Sequence, residues 1–101
     1  MYDVARITDM EALLDESQAA LEKLMDALEG YAAVQENVRT LDAYYTSDEW
    51  REDFEADERG LLPAGLKRGV LSEDAVYDLL TDNREILARL LEVAAESLRE
   101  G

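Results

Sequence analysis

The sequence predicts an all-α protein. Two long antiparallel helices form a coiled-coil-like hairpin, with a short helix and an irregular Pro/Gly segment at the connection. Three observations carry this. Apolar residues recur at steps of three and four over two long stretches. Between them, from Tyr44 to Tyr77, lie the only Trp, the only Phe, the only Pro and three of the five Gly. Helix-start signals stand at the head of each expected helix.

The first helix is expected over about residues 8–45. Thr8-Asp9-Met10-Glu11 has the spacing of a capping box, and Ile7 stands where a hydrophobic staple would fold back. The apolar seam runs through Met10, Leu14, Leu21, Leu24, Leu28, Tyr31, Val38, Leu41 and Tyr45, with Ser17 and Gln35 as polar members. Leu13, Met25 and Ala32 broaden it. No Pro interrupts it, so a rod of about 55 Å follows at 1.5 Å per residue. Gly30 is a place for a local bend.

Thr46 with Glu49 reads as a second capping box, opening a short helix over about 48–58. Trp50 and Phe54, four apart, share one face; Asp53 and Asp57 share the next. Gly60 is expected to stop this helix in a left-handed conformation. Pro63 disfavours helix at Leu62, so residues 59–72 read as a loop. Ser72 is a third N-cap, with Glu73 and Asp74 placed well for the helix dipole. The last helix is expected over about 73–99, on a seam of Val76, Leu80, Asn83, Leu87, Leu90, Ala94 and Leu98. Leu79, Ile86, Leu91 and Val93 widen its face. Seams this broad ask for more than one partner helix. The length mismatch of about ten residues, read off these boundaries, points to a second copy over part of the first helix. Gln35 and Asn83 are expected to fix register as neighbouring amides.

A single helical domain, residues 1–101, is what this length supports. The apolar fraction of 48% is enough for a modest core. No apolar run is long enough to span a bilayer. Residues 1–6 lack the basic-then-apolar pattern of a secretion signal, so a cytoplasmic location is expected. The absence of Cys removes disulfides and thiol chemistry; the absence of His removes the commonest general base and metal ligand. The net charge of −15 is spread along the chain, which disfavours direct binding to nucleic acid or anionic lipid.

Individual motifs then narrow the chemistry. Counting from Asp53, a calcium-binding loop would need Gly at residue 58 and Glu at residue 64; the chain has Glu58 and Ala64. No carboxylate pair is singled out for acid–base work, and Ser72 has no His to activate it. No enzyme, cofactor or metal is expected. Lys67 and Arg68 precede a helix start, but Glu73 and Asp74 would repel an anion there. The two bases are better placed to tie the corner to Asp53, Asp57 or Glu58, Arg68 through paired hydrogen bonds. Tyr44, Tyr45, Trp50, Phe54 and Tyr77 read as one aromatic cluster, either a satellite core or an anchor for a partner.

The order Tyr-Tyr-x-Ser-x-x-Trp-x-x-Asp-Phe-Glu-x-Asp-Glu from Tyr44 to Glu58, the run Leu66 to Asp74 with Tyr77, and Arg6-Ile7-Thr8 with Met10-Glu11 together resemble a known family. It is a family of small bacterial proteins carried as a domain of unknown function (DUF4298), marked by an Arg-Gly-Val-Leu-Ser-Glu-Asp motif, here Arg68 to Asp74. The resemblance implies a free-standing bacterial protein and supplies no activity, substrate or cofactor. The expected function is that of a small interaction or regulatory protein, binding a protein partner or itself. Its contact surface, or structural corner, is Tyr45, Trp50, Asp53, Phe54, Asp57, Lys67, Arg68, Ser72 and Tyr77. The alternative is an acidic mimic that inhibits a DNA- or RNA-binding protein.

Overall fold

Four elements make up the computed structural model, which describes all 101 residues: helix α1 (Val4–Tyr45), helix α2 (Asp48–Glu58), a 3-10 turn (Gly69–Leu71) and helix α3 (Ala75–Glu100). There are no strands. None of the helices is long and apolar enough to cross a membrane. The chain divides into two units, Met1–Asn37 and Val38–Gly101.

The first unit is the N-terminal part of α1. Its start is set by Asp3, whose carboxylate accepts the Arg6 N–H at 3.2 Å while its carbonyl accepts the Ile7 N–H at 3.0 Å. The expected start at Thr8 is therefore four residues late. Thr8 donates its hydroxyl to the Val4 carbonyl at 2.9 Å, the back-bond that Ser and Thr make inside a helix. At 42 residues α1 is about 63 Å long, and it is helical through Gly30. No side chain of α1 is buried.

The second unit holds the last two turns of α1 and everything after them. Thr46 does not cap α2; its hydroxyl donates to the Asp42 carbonyl at 3.0 Å, closing α1. The cap is Ser47, in extended backbone, which accepts the Trp50 N–H at 3.2 Å and donates to Tyr44 O at 2.5 Å. One hydroxyl thus ends α1 and begins α2. At the far end of α2, Gly60 has φ 71°. Its N–H reaches Asp57 O and the Leu61 N–H reaches Ala56 O, both at 3.0 Å, the paired bonds of a Schellman stop. A turn at Pro63–Leu66 and the 3-10 turn lead into α3. Ser72 supplies the expected cap bond, accepting the Ala75 N–H at 3.1 Å. Regular helix begins at Ala75, two residues beyond the expected start.

Leu71 and Val76, 6% and 3% exposed, are the only buried residues and form the centre of this unit. They flank the Ser72 cap, so chain reversal and burial occur at one place. Full burial of two aliphatic side chains contributes roughly 1.5–3 kcal/mol each. The end of α1 and the start of α3 run antiparallel here. Tyr45 donates its hydroxyl to Glu73 O at 2.7 Å, and Val38, Arg39 and Asp42 share a groove with Leu80, Asn83 and Leu87. This is the turn of the expected hairpin.

Candidate functional site

The corner between Tyr44 and Tyr77 is held by aromatic contacts and four side-chain ties. Trp50 stacks on Phe54, centroids 5.0 Å apart and planes 17° apart. Tyr45 meets Trp50 edge-on at 5.1 Å and 70°. Both geometries are those that aromatic quadrupoles favour. The Trp50 indole donates through Nε1 to Val70 O at 3.0 Å, tying α2 to the 3-10 turn. Tyr45 ties α1 to the approach of α3 through Glu73 O. Tyr44 donates its hydroxyl to Asp53 Oδ2 at 2.6 Å, tying α1 to α2. Arg68 Nη1 donates to Asp57 Oδ1, closing the loop back onto α2.

Two expectations are corrected by this geometry. Five aromatics were to form one cluster; three do. Tyr44 and Tyr45 are successive on a helix and point about 100° apart, so one joins the rings and the other takes a carboxylate. Tyr77 follows Val76 on α3, and the turn of helix that buries Val76 carries Tyr77 outward, 60% exposed. There Tyr77 lines a groove of about 410 Å³ with Leu80, Thr81, Arg84, Glu85 and Ala88. The second correction concerns the bases. Lys67 and Arg68 were both to clamp the corner onto α2, but Arg68 alone does so, and Lys67 is exposed with no ion pair. Asp53 is taken by Tyr44, leaving Asp57 for the guanidinium. Ser72 serves as a cap and not as a ligand-facing hydroxyl.

Tyr44 is the group whose acidity the corner changes. Partial burial, the hydrogen bond to Asp53 and the negative charges of Asp53 and Glu49 push its phenol up to about 12. It stays a neutral donor through the whole physiological range.

Three features of this unit escaped the sequence. Val70 and Glu73 act through backbone carbonyls, which carry no residue signature. The loop leucines Leu61 and Leu66 are 68% and 49% exposed, although their apolar character gave no reason to place them outside. A second groove of about 270 Å³, lined by Val38, Arg39, Asp42, Leu80, Asn83, Arg84 and Leu87, brings two arginines to one opening in an acidic protein. Arg39 and Arg84 each follow a seam residue, Val38 and Asn83, and that was the available clue.

Comparison with known proteins identifies the family. The family model described as Domain of unknown function (DUF4298) matches residues 7–93. That is most of the chain, and the chain belongs to this family. No curated protein matches significantly, and neither does any solved structure.

Proposed function

We propose that this member of the DUF4298 family is a non-enzymatic protein-interaction module whose contact surface is the loop from Gly60 to Lys67. The observation that carries this is an exposed apolar pair, Leu61 and Leu66, on a loop fixed at both ends. Gly60 fixes one end through the Schellman bonds; Arg68 fixes the other through Asp57. Lys67 adds an uncommitted positive charge beside Leu66. A loop already ordered loses little conformational freedom on binding, and exposed apolar side chains next to a free cation suit a protein surface with an acidic rim. Trp50, Phe54 and Arg68 are committed to internal partners.

The test is affinity capture from native-host lysate with wild type beside a Leu61→Ser, Leu66→Ser variant. Both leucines are exposed, so the variant is expected to keep the wild-type melting temperature and lose the captured protein. A partner retained by the variant contradicts the reading, and so does capture of nothing by either protein.

A second reading rests on the outer face of α1, where Asp15, Glu22, Glu29 and Glu36 recur every seven residues in one row. Such a row supports mimicry of a nucleic-acid backbone. Inhibition of a nucleic-acid-binding protein that weakens steeply with salt would favour it over the loop.

A further inference from the structure

We propose that the N-terminal part of α1 is a self-association surface on which two copies of the chain pair in parallel and in register over residues 4–24. It uses none of the corner residues and stands independently of the loop reading.

Residues 4–30 of α1 contain no buried side chain and no ion pair. A helix in water with neither is marginal, because helices owe most of their stability to a covered apolar face. That face is present. Ile7, Met10, Leu14, Leu21 and Leu24 are each 49–65% exposed. Residues 4–24 of that stretch make about 30 Å of helix.

Ile7, Leu14 and Leu21 occupy the a positions of a heptad, and Met10, Ser17 and Leu24 the d positions. The charges fall elsewhere. Asp9, Asp15, Glu16, Glu22, Lys23 and Asp26 all take b, c or f, pointing away from the seam. A chain of net charge −15 can therefore meet its own copy here without opposing carboxylates. From Val4 to Asn37, only Arg6 and Glu11 are charged residues at the flanking g and e positions.

Arg6 is at g and Glu11 at the following e, five residues on and opposite in sign. In a parallel, in-register pair, g of one helix faces that e of the other, so each interface carries the Arg6–Glu11 pair twice. An antiparallel pair sets g against g and e against e, and strands both charges. Within the chain neither has an ion-pair partner, and the Arg6 guanidinium only donates to Met1 O at 3.2 Å. The charge pattern thus selects both the occupant, a second copy, and its orientation. Five half-exposed side chains per copy offer on the order of 800 Å² of apolar area, the scale of a reversible contact.

The experiment is sedimentation equilibrium of the full chain over a concentration series, for wild type, Arg6→Glu, Glu11→Arg and the double reversal. Wild type is expected to pass from one-chain to two-chain mass. Each single reversal sets like charges face to face and weakens the dimer about tenfold; the double reversal restores it. Circular dichroism confirms that all four are helical, which their exposed positions favour. The chain has no Cys, so Met10→Cys and Leu14→Cys variants report orientation cleanly: both form disulfide-linked dimers if pairing is parallel. A one-chain mass throughout, a mass other than two, no rescue by the double reversal, or no crosslink at both positions overturns the proposal.

Discussion

The corner from Tyr44 to Tyr77 and the N-terminal part of α1 are built by opposite means. Residues 4–30 carry a long apolar face and bury none of it. The corner, with no larger a set of apolar residues, holds both buried side chains and every side-chain tie between elements described above. Periodicity makes a helix; it does not supply the surface that covers the helix. A corner is specified instead by hydrogen bonds that are costly to leave unmade, such as Trp50 to Val70 and Tyr45 to Glu73, and by a few residues packed at the reversal.

The sharpest way to break this contrast is Trp50→Ala. It removes the stack on Phe54, the edge contact with Tyr45 and the bond to Val70. A loss of about 3 kcal/mol is expected in urea denaturation followed by circular dichroism. The next is a matched pair of deletions. Leu71→Ala, at a buried site, should cost about 2–3 kcal/mol, whereas Leu13→Ala, 52% exposed on α1, should stay within about 0.5 kcal/mol in dilute solution. Similar losses for the two leucines would erase the distinction between the regions.

Gly60→Ala asks how much the corner depends on one backbone conformation. Nothing lies within 4 Å of a Cβ built there, but φ is +71°, so the expected loss of about 1 kcal/mol comes from backbone strain alone. The smallest effect is the titration of Tyr44. Its folded-state value of about 12 lies above the ordinary 10.0, so the native state keeps a proton that the unfolded chain releases. The stabilisation is intact below pH 10.0 and is lost as pH rises towards about 12. Phenolate absorbance should show one late-titrating tyrosine, absent in Tyr44→Phe.

Much of this was legible in the residues. The two long helices, the left-handed stop at Gly60 and the pairing of Trp50 with Phe54 follow from spacing and from glycine's freedom. The cap at Ser72 follows from its place before two acids. The other caps were misread for one physical reason: Thr8 and Thr46 are followed three residues later by Glu, yet a threonine hydroxyl can satisfy itself on the carbonyl four residues back. Asp3 and Ser47, one to five residues away, do the capping instead. Tyr77 was misplaced because aromatic character says nothing about which side of α3 turns inward; Val76 decides that. A tie from Arg68 to one of the α2 acids was legible; that Lys67 takes no part, and that Arg68 makes one contact with Asp57 where paired hydrogen bonds were expected, was not.

Hydrogen exchange of the wild-type chain, followed by mass spectrometry at low and high protein concentration, tests the contrast between the two regions most directly. Amides of residues 4–24 should exchange fast in dilute solution and gain protection on concentration, as a second copy covers the apolar face. Amides from Trp50 to Val76 should be protected alike at both concentrations. Equal protection of residues 4–24 at the two concentrations, or a corner that opens as readily as the N-terminal helix, would contradict it.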